Sequence, residues 1–131
     1  MAKAAKVKEI MVTTPNKVGM LAEVAGIVSG AGVNILALCA YAMEGKANFL
    51  MLTSDNAKAL GALKAKKMTV EEVPAVSVTL ANKVGAAKEL ADKIAKAGVD
   101  ISYCYGSTGN GSEALFVFSA KDIDKAVAAC A

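Results

Sequence analysis

The chain has 131 residues, 55% of them hydrophobic and 21% charged, and a formal net charge of +3. That composition supplies ample core and excludes a disordered chain, while the scattered lysines leave no nucleic-acid footprint. There is no His and no Trp, and all fifteen cations are Lys. The commonest general base near neutral pH is therefore missing, as is the guanidinium fork that grips carboxylates and phosphates. An anion bound here would have to be held mainly by backbone N–H groups.

Taken in chain order, residues 7–13 are rich in strand formers, and Pro15 and Asn16 end that strand. Residues 18–31 carry apolar side chains at helical spacing (Val18, Leu21, Val24, Val28), and Gly32 stops the helix. Residues 33–43 read as a strand apolar on both faces, Glu44, Gly45 and Lys46 as a hairpin turn, and residues 48–53 as its second strand. Ser54 or Asp55 caps a helix over 55–66. Lys64, Lys66 and Lys67 crowd at its end, where cations suit the dipole. A short strand over 68–73 is closed by Pro74, which donates nothing to a ladder.

The order then repeats. Residues 76–80 predict a strand, 84–97 a helix with Ala87, Leu90, Ala91 and Ile94 inward, and 100–105 a strand. A glycine-rich hairpin over 106–112 leads to a strand over 114–119, and a helix runs from Lys121 to the end. The hairpin joins two strands and no Lys-Ser/Thr follows it, so it is not a phosphate loop. Asn16-Lys17-Val18-Gly19 returns unchanged as Asn82-Lys83-Val84-Gly85. Ala31-Gly32-Val33-Asn34-Ile35 returns as Ala97-Gly98-Val99-Asp100-Ile101 at the same offset. Asp55, Lys58, Ala59 and Ala62 align with Asp122, Lys125, Ala126 and Ala129 one residue further on. One supersecondary unit is thus written twice.

The expectation is an α+β chain of two tandem ferredoxin-like β-α-β-β-α-β units, residues 7–74 and 75–131. Units this small bury only about 60% of their unfolded surface, so each must pack on something further. The second lacks its last strand, which leaves an edge open, filled by another strand, or lost by truncation.

Val24 to Met43 contains no charge and includes Gly26-x-x-x-Gly30, a pattern a hydropathy window reads as a membrane helix. The second copy carries Asp92, Lys93, Lys96 and Asp100 over the same stretch, so the reading is a soluble helix-turn-strand. The N-terminal residues, with early lysines but no long apolar run or small-residue cleavage site, do not read as a signal peptide. Cys39, Cys104 and Cys130 lack metal-ligand spacing and read as free thiols of a cytoplasmic protein; no metal or cofactor is implied.

The strand–helix elbow is the first candidate site. Asn16 and Asn82 can cap the helices, Gly19 and Gly85 let the backbone approach a ligand closely, and a helix N-terminus suits a carboxylate. A capped helix with a tight turn explains either copy alone; identity in both tilts the reading to function. Asn34 and Asp100, in phase at the start of the next strand, can accept from an ammonium group or serve as turn residues.

The pattern N-x-x-G at the elbow, then A-G-[VI]-[ND]-I, within a β-α-β-β-α-β unit, resembles the ACT domain, a small amino-acid-sensing module. Two copies in tandem resemble the stand-alone double-ACT regulatory proteins. The resemblance implies an amino-acid effector at an interface between ACT units, held by Asn16, Gly19, Met20, Leu21, Asn34 and Ile35. In the second copy it implies Asn82, Gly85, Ala86, Asp100 and Ile101. The chain departs from the family where proline commonly precedes the elbow glycine: Val18 and Val84 stand there. Ala86 and Ala87 also replace Met20 and Leu21, which makes the second site the weaker expectation.

One expectation comes from the copies themselves. Ala22, Gly26, Ile27 and Gly30 occupy positions held by Lys88, Asp92, Lys93 and Lys96. A solvent face has no need of glycines that cost about 1 kcal/mol each in a helix. This face is expected to meet another backbone, most simply its mate in a homodimer. The leading function is a non-enzymatic, amino-acid-sensing regulator, with no nucleic-acid or membrane partner. The alternatives are a ligand-free assembly module, an RNA-binding pair in which Phe116-Val117-Phe118 and Phe49 would stack bases, and an enzyme of the acylphosphatase type, whose arginine is missing.

Overall fold

The computed structural model describes residues 3–109 and 111–131, so Asn110 of the glycine-rich hairpin lies outside the described residues. In order, the elements are β1 (Lys3–Pro15), α1 (Met20–Gly30), β2 (Ile35–Met43), β3 (Lys46–Thr53), α2 (Asn56–Ala65) and β4 (Thr69–Ala81). They continue with α3 (Ala86–Lys96), β5 (Ile101–Thr108), β6 (Glu113–Ala120) and α4 (Ile123–Ala129). The α+β class and the tandem β-α-β-β-α-β order are those of the sequence. The chain divides into two compact units, Lys8–Val73 on one hand and Met1–Val7 with Pro74–Ala131 on the other.

In the first unit the strand order is β2-β3-β1-β4, with β1 supplying residues 8–15 and β4 residues 69–73. β3 is antiparallel to both neighbours, with Val12 opposite Phe49 and Ala40 opposite Phe49 on the other side. Glu44 (φ 52°) and Gly45 (φ 77°) form the two-residue hairpin turn, the left-handed pair that matches strand twist. The core joins Ile10 and Val12 of β1, Met20, Val24 and Val28 of α1, Phe49 and Met51 of β3, and Ala59 and Leu63 of α2. Full burial of a side chain such as Leu63 contributes about 1.5–3 kcal/mol.

The second unit repeats this with α3 and α4 and the strand order β1-β4-β6-β5. No strand follows α4, and the neighbour that β4 would lack comes from the other end of the chain: residues 3–7 of β1 belong to this unit. Ala4 packs against its core, and Lys6 Nζ lies 2.7 Å from Asp124 Oδ1 on α4. Of the three fates open to the missing edge, the chain uses the second: another strand fills it. That core is built from Val76, Val78, Leu90, Ile94, Phe118 and Ala126.

Four local expectations are corrected. The inward stripe of α1 is Met20, Val24 and Val28; Val18 is 104% exposed and Leu21 50%. Gly19 turns left-handed (φ 95°), which starts the helix at Met20 and leaves Val18 on the loop. On α3 only Leu90 and Ile94 are buried, while Ala87 and Ala91 face outward. Pro74 does not end a strand, because β4 runs through it. The ladder to β6 begins at Val76, so the missing N–H costs no bond there, and Pro74 O accepts from Ser119 Oγ at 3.0 Å. Gly106 likewise lies within β5 rather than in the hairpin.

Candidate functional site

Each unit contains one helix with a side-chain cap and one without. Asp55 Oδ1 accepts from Lys58 N–H at 3.1 Å at the start of α2, and Asp122 Oδ1 from Lys125 N–H at 3.0 Å at the start of α4. At α1 and α3 the N-cap residues are Gly19 (φ 95°) and Gly85 (φ 88°), and no side chain caps either helix. The asparagines therefore do not cap, contrary to expectation. They tie the elbow to the neighbouring hairpin instead. Asn16 N–H donates to Gly45 O at 3.0 Å, and Asn82 N–H donates to Ser112 O at 2.8 Å. Asn82 Nδ2 adds a bond to Gly111 O at 3.1 Å.

The two elbows share their other bonds except one, from Lys83 N–H to Ala81 O at 3.0 Å in the second. Met20 N–H donates to Lys17 O at 3.4 Å and Ala86 N–H to Lys83 O at 3.3 Å. Glu23 N–H reaches Gly19 O, and Glu89 N–H reaches Gly85 O, both at 3.0 Å. The amides at the next two positions of each helix, Leu21 and Ala22 or Ala87 and Lys88, fall in the turn that has no intrahelical acceptor. They present donors and the positive end of the dipole to an anion. Lys83 stands over the second elbow 3.7 Å from Glu89 Oε1, an exposed pair of little energetic weight.

A concave surface of about 270 Å³ adjoins the first elbow, between Asn16, Gly19, Met20 and Leu21 and the strand residues Tyr41 and Phe49. Its counterpart of about 290 Å³ lies between Asn82, Lys83 and Ala86 and the strand residues Gly106, Leu115 and Phe116. Neither hollow reaches the other half of the expected site. The elbow ends of β1, β3 and β2 meet where Thr14 faces Ala47 and Ala47 faces Ala42, whereas Ile35 faces Thr53 at the far end of the hairpin. Six residues of strand separate Asn34 from Ala40, roughly 20 Å. Asn34 is exposed and held by its backbone: its N–H donates to Ser54 Oγ, and its carbonyl accepts from Ser54 N–H, both at 2.9 Å. Asp100 is exposed, and Ile35 and Ile101 pack partly against the cores of their units. Within one unit, then, elbow and second-strand start do not form a common pocket.

The α1 face is also visible. Ala22, Gly26, Gly30 and Ala62 line a groove between α1 and α2, while Ile27 is half-buried against its own core. A Cβ at Gly26 or Gly30 would meet nothing within 4 Å, so no contact within the chain calls for these glycines. Sequence reasoning missed a second surface. Leu36 (58% exposed) and Leu38 stand out from β2, and Tyr41 and Met43 (59%) stand out on the face opposite Leu38. The signal was the copy comparison, since Ser102, Cys104, Ser107 and Gly109 hold these places in the second unit.

The Cys39 and Cys130 thiols are not activated. Burial, and then Glu9, push the Cys39 thiol up from its ordinary pKa; burial raises Cys130 against a smaller lowering by Lys93. All three cysteines are free, and among the described residues no cluster of three or more His, Cys, Asp or Glu could hold a metal. Phe49 and Phe118 are buried and Phe116 packs on the second core, its ring 6.2 Å from that of Phe118. The aromatics of the RNA-binding alternative are thus spent inside. Among the described residues no helix is long and apolar enough to cross a membrane.

Two tandem β-α-β-β-α-β units with matching uncapped elbows define the class. The ACT domain pair family matches residues 5–130, and the chain belongs to that family. It is similar to a Bacteroides thetaiotaomicron protein of known structure at 27% identity and a TM-score of 0.88, covering 96% of this chain and 87% of that one. The ligand-free regulatory subunit of aspartate kinase from Thermus thermophilus shares its fold at 14% identity and a TM-score of 0.69, over 97% and 93% of the chains. A C-terminal regulatory domain of aspartate kinase from Porphyromonas gingivalis, itself a putative assignment, does so at 14% and 0.60, over 99% and 94%. No curated protein matches the sequence.

Proposed function

We propose that this protein is a non-catalytic, cytoplasmic regulatory module that binds a small amino acid where ACT units of two chains meet in a homodimer. The observation that carries the reading is the contrast between the helices. Both second helices take an Asp cap, whereas both first helices keep open amides behind a left-handed glycine. A chain without Arg or His can grip a carboxylate with such amides. Asn34 and Asp100 lie too far along the strands to complete the elbows of their own units, which favours completion by a second chain. The glycine face of α1 (Ala22, Gly26, Ile27, Gly30) is our candidate dimer contact. The fold shared with aspartate kinase regulatory subunits supports a regulatory role, and raised thiol pKa values with no histidine argue against catalysis.

Thermal denaturation against each of the twenty amino acids tests this. A ligand at 100 times its dissociation constant adds about 2.7 kcal/mol, several degrees for a chain of this size. Twenty flat results would leave the ligand-free assembly module, which the exposed apolar side chains of β2 favour.

A further inference from the structure

The two elbow hollows are close in volume but lined differently, and only at Ala42, replaced by Thr108, does the second gain side chain. Met20, Leu21, Ala40 and Tyr41 border the first; Ala86, Ala87, Gly106 and Ser107 occupy the same places around the second. Every one of the four replacements removes side chain from the second hollow. Met20 is 5% exposed and forms part of the first core, whereas Ala86 is only partly buried against the second. The room taken by the methionine in one unit is not refilled in the other. A further cavity of about 130 Å³ opens there, between Leu80, Ala86, Leu90 and the C-terminal Ala131. It shares Leu80, Ala81, Lys83 and Ala86 with the elbow hollow, so Ala86 is the wall between two voids.

Gly106 shows that this hollow has a fixed shape. A Cβ there would lie 3.0 Å from both Leu115 O and Phe116 Cδ1, so the ring is packed directly over bare backbone. In the first unit Ala40, with a Cβ of its own, stands opposite Phe49. The floor and walls at Leu80, Ala86, Ala114 and Phe116 are apolar, and the rim carries Asn82, Lys83, Ser107 and Thr108. An apolar pocket with a few polar groups at its mouth is the usual form of a small-molecule site.

We infer that the second elbow is the ligand-bearing one and takes the aliphatic side chain of an amino acid between Leu80, Ala86 and Phe116. In the first unit Met20, a member of the core, stands where Ala86 opens onto the further cavity. This rests on the amino-acid reading above and reverses the sequence expectation that the first site is the stronger. Burying an aliphatic chain of three or four carbons supplies most of the preference over glycine or aspartate.

The test is titration calorimetry of the full chain with leucine, isoleucine, valine and methionine, using glycine and aspartate for contrast. Ala86→Met and Ala87→Leu restore the first unit's residues one at a time. Met20 occupies the matching backbone site, so Ala86→Met is compatible with the fold; Ala87 is exposed, so its replacement leaves the core alone. The expected result is one aliphatic amino acid per chain, with affinity at least tenfold weaker in Ala86→Met and measurably weaker in Ala87→Leu. Unchanged affinity in both variants, two equal sites per chain, or binding confined to polar amino acids overturns this inference and leaves the amino-acid reading standing. No binding of any amino acid to the unmodified chain overturns both.

Discussion

The first and second units contain the same elements in the same order, yet they are finished by different means. Lys8–Val73 is a single uninterrupted stretch whose elbow residue Met20 is taken into the core, and whose surfaces carry Gly26, Gly30, Leu36 and Met43. Pro74–Ala131 is charged on the matching helix and hollow at its elbow, and it borrows residues 3–7 to complete its sheet. A duplicated unit thereby shows which features the fold requires and which are free to diverge. The left-handed elbow glycines, the Asp caps and the buried stripe at every fourth position of the first helix persist in both. Side-chain volume at the elbow and polarity of the outer faces do not.

The comparison is broken most severely by removing the borrowed strand. Deleting residues 3–7 should destabilise the second unit by about 3 kcal/mol, the net value of roughly three hydrogen bonds. Hydrogen exchange should show faster opening of α3, β5 and β6, with α1, β2 and β3 still protected. Equal loss of protection in both units would show that they do not open separately.

Gly19→Ala and Gly85→Ala sharpen the comparison from the opposite side. Each forces a Cβ into a left-handed conformation at a cost of about 1–2 kcal/mol. Space is not the issue, since a Cβ at either position meets nothing within 4 Å. The two losses, read as denaturation midpoints, should agree within about 0.5 kcal/mol if the elbows are equivalent as backbone.

The smallest effect on stability is expected at the helix faces. Gly26→Lys places a charge on the face of α1 that is charged in α3, and should raise stability by about 0.5 kcal/mol through helix propensity. If the glycine face is the dimer contact, sedimentation should shift from dimer to monomer in the same variant. A stabilised chain with unchanged sedimentation would remove this face from the assembly.

Much of the architecture was legible because repetition supplied its own check. Asp92 and Lys96 dismissed a membrane helix at Gly26 and Gly30, and Asp55 announced its cap. What escaped the sequence was decided by partners distant along the chain. Residues 3–6, Lys-Ala-Ala-Lys, have little intrinsic strand preference and are extended because β4 of the second unit lies beside them. Val18 fitted the helical period, yet the conformation of Gly19 placed it outside the helix. At the site, residue types at the elbow were readable, but the emptiness beside Ala86 was not. It appears only when the position of Met20 is seen as space.

The borrowed strand also sets an order of assembly. Residues 3–7 are made long before the unit they complete: β4 follows only after the whole of the other unit, and α4 later still, with Lys6 waiting for Asp124. The uninterrupted unit can close as soon as residue 73 has emerged, because domains fold as units during synthesis. Until then the leading segment is an unpaired edge that neighbouring nascent chains could capture. Lys3, Lys6 and Lys8 place charge along that stretch, the device by which edge strands resist such pairing.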